Sequence, residues 1–321
     1  MVRNEGYCGV SHGKVILIGE HSVVYDQPAL VLPLHDARMS VKLTPRTDSG
    51  LFIDCEYFCG PLRHAPDMLS NIRVLVERLM YDFALNHQGF NLTVRSTIPH
   101  ERGMGSSAAV AVATIRAISK FAGRALNFKE EFEYTQIAEN IAHSTASGLD
   151  SAAVASDSAV WFQRGTEIST FAFDTSAVLV VADTGITGST REAVSDVRSL
   201  LKSYNPHVSR ETWSHIHRLG QLSYECADAL RANSIDTLGV CMNEAQRILS
   251  QLSVSHPIIE HCISAARVAG AVGAKLTGGG RGGCLLALAQ SQSAAQRIDQ
   301  ALIQAGAIRT WQVPLQSKGI Q

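Results

Sequence analysis

The 321-residue sequence is short of charged and aromatic side chains. Charged residues make up 18% of the chain and aromatic residues 6%, whereas hydrophobic residues make up 45%. The 28 basic and 29 acidic residues nearly cancel, which gives a formal net charge of −1. Domains that hold nucleic acid through its phosphates are usually strongly basic, so this balance argues against a nucleic-acid partner. The apolar fraction is also too high for a disordered chain, and we expect a compact globular protein.

Long apolar runs and clustered cysteines are missing as well. No uncharged apolar stretch reaches the ~18 residues that a membrane-spanning helix needs. The N-terminus has no apolar segment of signal-peptide length, which argues against secretion. The seven cysteines are odd in number and only Cys55 and Cys59 lie close together, a pattern that favours free buried thiols over disulfides or a metal site. We therefore expect a cytoplasmic protein with no membrane partner, and its size is typical of an enzyme.

Hydrophobic periodicity in the first half of the chain predicts strands and helices. An apolar stripe at three- and four-residue spacing predicts an amphipathic helix that opens after Pro66. Further helices are expected from Ala108, from about Lys129 and near Leu149. Short apolar or alternating runs predict strands at residues 15–18, 29–34, 39–43, 90–98, 158–162 and 177–182.

The second half is mostly helical in pattern and ends in strands. Helices are predicted from Thr190 to about Ala271, with breaks near Pro206, Asn233 and Pro257. The segment 164–175 is the expected domain boundary and divides the chain into two domains, residues 1–170 and 171–321. The last part is predicted as a strand (274–277), a glycine loop (278–283), a strand (284–288), a helix (293–304) and a strand (308–313).

Two glycine-bearing segments flank apolar strands and are weak signals by themselves. Gly13 and Lys14 precede an apolar run that Glu20 and His21 follow. The pair does not fit the Walker phosphate loop, and on spacing alone a lysine here is typical of an exposed strand flank. The segment 277–283 has five glycines in six positions, more than a hairpin needs. This excess favours close approach of a ligand or another backbone, with a flexible loop as the alternative.

The third segment, Gly103-Met104-Gly105-Ser106-Ser107-Ala108, lies between a predicted strand and a predicted helix. It formally matches the dinucleotide-binding fingerprint, but the strand before it alternates in polarity instead of being apolar throughout. Unpaired N–H groups at the start of a helix favour anions, and two glycines let a ligand approach the backbone. We interpret the segment as a phosphate cradle whose serines can reach phosphate oxygen or Mg²⁺. The alternative is a serine N-cap after a glycine turn.

In this order, the three segments resemble the three signature motifs of the GHMP kinase superfamily, which includes galactokinase, homoserine kinase, mevalonate kinase and phosphomevalonate kinase. The superfamily's middle motif, Pro-x-x-x-Gly-Leu-Gly-Ser-Ser-Ala, corresponds to residues 99–108, and residues 13–25 resemble the mevalonate kinase pattern most closely. The resemblance spans residues 10–290. It implies an α+β, two-lobed GHMP kinase fold with a ribosomal protein S5 domain 2-like N-terminal domain, a ferredoxin-like C-terminal domain and the active site in the cleft between the lobes.

The resemblance also implies roles for individual residues. Asp150 would face the substrate hydroxyl beside Lys14, and these two residues would be catalytic. Ser107 and Glu139 would hold Mg²⁺, and His143 would support Glu139 on the same helix. The residues that would bind ATP are Pro99, Gly103, Met104, Gly105, Ser106, Ser107 and Ala108.

The same resemblance implies an ATP- and Mg²⁺-dependent kinase that phosphorylates the C5 hydroxyl of mevalonate and contacts it through Glu20, His21 and Thr190. The resemblance is also compatible with a protein that forms a homodimer. One departure from the family pattern is His12, which stands where a proline is usual. The alternatives are a related small-molecule kinase acting on phosphomevalonate, homoserine or a sugar, or an ATP-binding sensor without catalysis. A sensor would be expected to lack Lys14, Glu139 or Asp150, and the presence of all three argues against it.

Overall fold

The structure, a computed structural model, describes residues 6–142 and 147–317. Within these ranges the chain forms two compact units. The first contains the N-terminal segment through Lys14, together with Pro33–Pro99 and Gly105–Asp157. The second contains Val15–Leu32, His100–Met104 and the chain from Ser158 onward. Each unit therefore collects segments that are separate in sequence, and the predicted division between residues 170 and 171 stays a prediction.

The strands of the first half belong to one sheet. The pairing order is β4-β3-β5-β2, and β1 also pairs with β2. Strand β5 runs parallel to β3 and antiparallel to β2, while β3 and β4 form an antiparallel hairpin. No individual bounds were predicted for β3 and β4, because these short strands lack a clear alternation. The strands are β1 (Tyr7–Ile18), β2 (Ala29–Arg46), β3 (Leu51–Cys55), β4 (Phe58–Pro61) and β5 (Gly89–Ser96).

Strand β2 is a single 18-residue strand where the sequence predicted two shorter ones. Its residues 39–46 pair with β5, from Met39 opposite Ser96 to Arg46 opposite Gly89. Its residues 29–31 pair with β6 (Val160–Phe162). The polar residues between the two predicted strands continue the extended backbone, because pairing at both ends of the strand overrides local propensity.

Four helices are described in the first unit, and the predicted apolar faces are buried. Helix α2 buries mainly alanines, whose small side chains let it pack closely against the other three. The predicted stripe after Pro66 is buried in α1 and at the residue that caps it. The helices are α1 (Ser70–Asp82), α2 (Ser106–Phe121), α3 (Phe128–Ala142) and α4 (Leu149–Ala155).

The second unit contains an antiparallel four-stranded sheet in the order β11-β8-β10-β9. Leu286 of β10 lies opposite Val181 of β8 and Lys275 of β9. Strands β9 and β10 are buried along their whole length, so this sheet forms the core of the unit. The remaining strands are β7 (Ser169–Thr170), β8 (Phe173–Asp183), β9 (Gly273–Thr277), β10 (Cys284–Ala289) and β11 (Arg309–Ser317).

Helices cover this sheet, and prolines mark two of their starts as predicted. Pro206 and Pro257 occupy first-turn positions, where the missing N–H costs nothing. The side chains of Asn205 and His256 cap these helices by accepting hydrogen bonds from backbone N–H groups. The helices are α5 (Thr190–Leu201), α6 (Pro206–Arg231), α7 (Ile235–Gln251), α8 (Pro257–Val268) and α9 (Gln292–Gln304).

All seven cysteines are free, as predicted, but the prediction that they are buried is wrong for three of them. Cys8 lies exposed near the start of β1, and Cys55 and Cys59 lie on the β3–β4 hairpin at the edge of the sheet, where packing is one-sided. Cys226, Cys241, Cys262 and Cys284 are buried.

No helix in the described part of the chain is long and apolar enough to cross a membrane.

Candidate active site

Lys14 and Asp150 meet in the first unit. Lys14 lies on β1 and is only 2% exposed. Its Nζ lies 2.8 Å from Asp150 Oδ1, and the Asp150 side chain is 37% exposed. Asp150 stands in the first turn of α4, which begins after Gly148 in the left-handed conformation. A buried cation is thus held against a carboxylate that a ligand can still reach.

The glycine loop before α2 forms as predicted. Gly103 and Gly105 both have φ of 73°, a backbone region that favours glycine. Gly105 is the N-cap of α2, and a Cβ at this position would lie 3.1 Å from Lys14 Cγ. Gly105 is therefore required both for its backbone conformation and for the space that Lys14 occupies. The N–H groups of Ser106 and Ser107 follow in the first turn, where a helix has no acceptor of its own.

The other predicted ATP-binding residues differ in accessibility. Met104 and Ala108 are buried, so their side chains shape the loop from inside. Pro99, Ser106 and Ser107 are half-buried and keep part of their surface accessible.

Ser107 connects two polar residues of the first unit. Its Oγ accepts a hydrogen bond of 3.3 Å from Asn71 Nδ2, and it also interacts with Glu139 on α3. Burial, and then the Asp150 carboxylate, raise the pKa of Glu139 to about 7, against smaller opposing effects of Ser107 and Lys14. Glu139 Oε1 has no hydrogen-bond partner among the described residues. Asn71 was not predicted, although a buried asparagine at the start of an apolar stripe is a usable signal.

Two of the residues predicted to contact the substrate, His21 and Thr190, lie at the 278–283 loop of the second unit. His21 has a φ of 60°, which is strained for a residue other than glycine. Its Nε2 lies 3.0 Å from the Gly279 carbonyl oxygen. A Cβ at Gly279 would lie 2.5 Å from Thr190 Oγ1, so Thr190 packs directly against this glycine. The loop thus has a specific packing role instead of being merely flexible.

The hydrogen bond to Gly279 fixes the state of the His21 ring. A carbonyl oxygen only accepts, so Nε2 carries the proton and Nδ1 is left as an acceptor with no partner among the described residues. Burial lowers the pKa of His21 to about 4, with help from the charges of Arg281 and Lys275. His21 is therefore neutral at pH 7 and presents a lone pair on Nδ1.

Glu20 forms an ion pair with Lys275, a residue that sequence reasoning missed. Both side chains are essentially inaccessible, with exposures of 1% and 0%. Lys275 Nζ also donates a hydrogen bond of 2.7 Å to the Leu276 carbonyl oxygen. Burial lowers the pKa of Lys275, while the Glu20 carboxylate acts against this shift. A single lysine inside the apolar run of β9 was the available signal, since such a residue needs a buried partner.

Two arginines near the glycine loops are engaged by carboxylates. Arg102 Nε donates to Asp183 Oδ1 at 3.0 Å and its Nη2 donates to the Gly185 carbonyl oxygen at 2.8 Å. Arg281 Nη2 lies 2.7 Å from Asp196 Oδ2 on α5. The partner of Arg281, the single residue other than glycine in the 278–283 loop, is therefore a carboxylate.

His143, which was predicted to support Glu139, lies outside the described residues. Ser147 is described, and its Oγ accepts a hydrogen bond of 3.3 Å from the backbone N–H of Leu149. Ser147 therefore stabilises the turn that leads to Asp150.

Two family models match the sequence. Residues 71–157 match the GHMP kinases N terminal domain, and residues 226–308 match the GHMP kinases C terminal domain. The first range includes Asn71, Ser107, Glu139 and Asp150, and the second includes Lys275 and the 278–283 loop.

Individual relatives extend the similarity over most of the chain. The mevalonate kinase of Thermococcus sibiricus is 33% identical over 300 residues, which cover 86% of this chain and 87% of the relative. The L. major mevalonate kinase, solved in complex with R-mevalonate, is similar in structure with a TM-score of 0.83, 26% identity and 99% coverage of both chains. The mevalonate kinase of Staphylococcus aureus has a TM-score of 0.72 at 30% identity and covers 98% of this chain and 100% of its own.

Proposed function

The chain belongs to the GHMP kinases, in the mevalonate kinase family, and we propose that it transfers the γ-phosphoryl group of ATP to the C5 hydroxyl of mevalonate. Phosphoryl transfer needs mainly positioning and charge neutralisation, with little covalent help from the protein. The observation that carries the proposal is the contact of 2.8 Å between buried Lys14 and accessible Asp150. A cation and a carboxylate this close together can both act on the attacking hydroxyl oxygen of the substrate.

Lys14 and Asp150 have complementary roles in the proposed reaction. Asp150 accepts or orients the proton of the attacking hydroxyl, since its side chain is the accessible member of the pair. Lys14 stabilises negative charge on that oxygen and on the transferred phosphoryl group. Because Lys14 is buried, its charge is poorly screened and is preorganised, an effect worth on the order of 10²–10³-fold in kcat.

ATP is proposed to bind at the loop before α2. The two glycines in left-handed conformation let the phosphates approach the backbone, and the first-turn N–H groups of α2 carry the positive end of the helix dipole. The hydroxyls of Ser106 and Ser107 add further donors. This arrangement binds anionic phosphates without needing a basic surface.

The residues around Ser107 fit a magnesium ion. The buried Glu139 Oε1 without a partner, the Ser107 hydroxyl and the raised pKa of Glu139 all indicate a carboxylate that lacks a neutralising cation. Ser107 and Glu139 would hold the ion, and Asn71 would orient Ser107. When bound, Mg²⁺ supplies charge neutralisation for the phosphates of ATP.

Mevalonate is proposed to contact residues of the second unit. His21 offers Nδ1 as an acceptor for a substrate hydroxyl, because its Nε2 proton is already donated to Gly279. Thr190 offers a hydroxyl next to the same glycine. Glu20 is held in one orientation by Lys275 and is only 1% exposed, so its contact with a substrate hydroxyl is proposed to form only when substrate binding makes the carboxylate accessible.

The proposal is tested by assays of ADP release with purified variants. Asp150→Asn is expected to lower kcat by on the order of 10²–10⁴-fold, and Lys14→Met by on the order of 10²–10³-fold, both with unchanged far-UV circular dichroism. Asp48→Asn is the matched control, because Asp48 is an exposed acid paired with Arg46. Near-normal turnover by Asp150→Asn would remove Asp150 from the mechanism.

A substrate panel tests the identity of the acceptor. The assay compares mevalonate, phosphomevalonate, homoserine and galactose at equal concentration with ATP and Mg²⁺. Mevalonate is expected to give the highest kcat/KM. A higher value for any other member would overturn the assignment of mevalonate while leaving the kinase chemistry in place.

A further inference from the structure

A second cluster of metal-ligating side chains lies outside the proposed reaction site. His12 on β1, His35 on β2 and Asp157, two residues past the end of α4, each contribute one possible ligand atom to this cluster. These three atoms lie within 4.8 Å of one another. All three residues belong to the first unit, and none of them has a role in the proposed phosphoryl transfer.

The hydrogen bonding of His12 prepares it to bind a cation. His12 is 4% exposed, and its Nδ1 lies 2.8 Å from the Gly13 carbonyl oxygen. That oxygen only accepts, so Nδ1 carries the proton and the neutral ring has its lone pair on Nε2. Donation of the second ring N–H to a backbone carbonyl is the usual arrangement of a metal-binding histidine.

The other nitrogen of this ring has no hydrogen-bond partner among the described residues. Asp157 Oδ1 lies 3.6 Å from His12 Nε2, which is too long for a hydrogen bond. His12 lowers the pKa of the Asp157 carboxyl, so a positive charge between these two atoms, either a metal cation or a proton on His12, stabilises their close approach. Tetrahedral ligands at 2.0–2.1 Å from Zn²⁺ are about 3.4 Å apart, which is close to the observed separation.

His35 is placed so that it can act as the third protein ligand of a metal ion. The His35 ring packs against the His12 ring with centroids 4.7 Å apart and planes inclined by 69°. His35 is exposed, and the Asp157 side chain is 82% exposed, so both can adjust by about 1 Å and a water can complete the coordination.

The surrounding charges favour a cation over an anion. Asp36 adjoins His35 in sequence, and Asp157 itself is negative at neutral pH. Arg116 acts on Asp157, but its own charge is offset by hydrogen bonds from its guanidinium to both Glu131 carboxylate oxygens. The net local charge is therefore negative.

From this geometry we propose that His12, His35 and Asp157 form a binding site for a divalent transition metal such as Zn²⁺. Two imidazoles and one carboxylate suit Zn²⁺ and its neighbours in the transition series, whereas Mg²⁺ prefers oxygen ligands. The bound ion links β1, β2 and the segment after α4. It therefore ties together the elements that carry Lys14 and Asp150 and stabilises the first unit.

The test uses the full-length protein stripped with chelator and titrated with Zn²⁺ in excess Mg²⁺ by isothermal calorimetry. One equivalent is expected to bind and to raise Tm. His35→Ala and Asp157→Asn are expected to weaken binding on the order of 10–100-fold or more. His87→Ala, which removes an exposed histidine elsewhere in the first unit, is the control and should leave the affinity unchanged. Both ligand variants alter exposed side chains, so they should fold normally.

Co²⁺ provides a readout that does not depend on heat or activity. Co²⁺ bound by the three residues should show visible d–d absorption, and this absorption should disappear in His35→Ala. Absence of saturable one-to-one binding would overturn the proposal and would leave a protonated His12 paired with Asp157. Equal Zn²⁺ affinity in wild type, His35→Ala and Asp157→Asn would overturn it as well, since the ion would then bind elsewhere.

Discussion

Lys275→Met is expected to destabilise the protein strongly, because it removes one half of a fully buried ion pair. Lys275 and Glu20 are 0% and 1% exposed, so neither charge is screened by water. Methionine keeps most of the volume of the lysine stem but carries no charge. The variant therefore isolates the loss of the ammonium group from the loss of packing.

The magnitude follows from the fate of the Glu20 carboxylate. Removing one partner of a buried pair costs about 3–5 kcal/mol, because the remaining charge is uncompensated. Loss of the hydrogen bond from Lys275 Nζ to the Leu276 carbonyl oxygen adds about 1 kcal/mol. The sum is a large part of the 5–15 kcal/mol by which typical domains are stable.

The assay is urea unfolding followed by circular dichroism, on both single variants and on the double variant Glu20→Gln/Lys275→Met. The double variant removes both charges and is expected to recover at least about 2 kcal/mol relative to the sum of the single effects. Lys202→Met is the control, since Lys202 is exposed, and should change stability by less than about 0.5 kcal/mol. A cost below about 1 kcal/mol for Lys275→Met, or strict additivity in the double variant, would refute the reasoning.

Three further changes test single features of the two units. Gly105→Ala forces alanine into a φ of 73° and crowds the buried lysine of β1, so kcat should fall at least about tenfold and stability by about 1–2 kcal/mol. Gly123→Ala has a similar φ of 66° but meets no atom within 4 Å, and unchanged kcat is expected there; equal kcat losses would contradict the crowding argument. Asn71→Ala removes the hydrogen bond to Ser107, and titration of activity with Mg²⁺ should show a half-saturating concentration raised by about tenfold. An unchanged value would contradict the proposed role of Asn71 in orienting Ser107. Burial lowers the pKa of His21 to about 4 from 6.5, so between these pH values the unfolded chain binds more protons and stability falls as pH falls, by up to about 3 kcal/mol. Urea unfolding from pH 7 to pH 4 should show a shallower dependence for His21→Gln, and identical slopes would mean that His21 is not buried as a neutral ring.

Much of the fold was predictable where one physical signal dominates. The apolar stripe of α1 repeats at helical spacing, and prolines mark the starts of α6 and α8, so these elements were predicted with nearly the observed bounds. No individual bounds were predicted for β3 and β4, because these strands are short and only partly buried. The structure of this hairpin depends on pairing with β5, which is a tertiary interaction that local sequence does not encode.

The candidate site likewise contains some residues that the sequence predicted and others that it did not. Gly103, Gly105 and the serines after them were predictable, because backbone conformation and helix position require those residue types in that order. Lys275 and Asn71 were not predicted, since their importance comes from what they touch: Glu20 lies 255 residues away along the chain and Ser107 lies 36 away. A motif reports the residues that bind a ligand, but the residues that hold those side chains in place become visible only in three dimensions.

The protein has few charged residues, yet several of them form ion pairs inside it, and this bears on how it binds an anion. Replacement of a buried ion pair by apolar residues is often neutral or stabilising, so such pairs are weak contributors to stability. A chain with only 18% charged residues nevertheless keeps several of its charges paired inside, which favours a functional reason for keeping them. The pairs with at least one buried partner that bear on this point are Lys14–Asp150, Lys275–Glu20 and Arg102–Asp183.

Two of these pairs include residues proposed to contact the reacting oxygen or the substrate. A cation held inside the protein acts on a single atom at short range, and helix N–H groups neutralise phosphate locally. Neither effect requires a net positive charge on the whole protein. The near-zero net charge therefore argues only against anionic partners that are attracted by a long-range field, such as nucleic acid, and it is fully compatible with a nucleotide bound by backbone amides and one buried lysine.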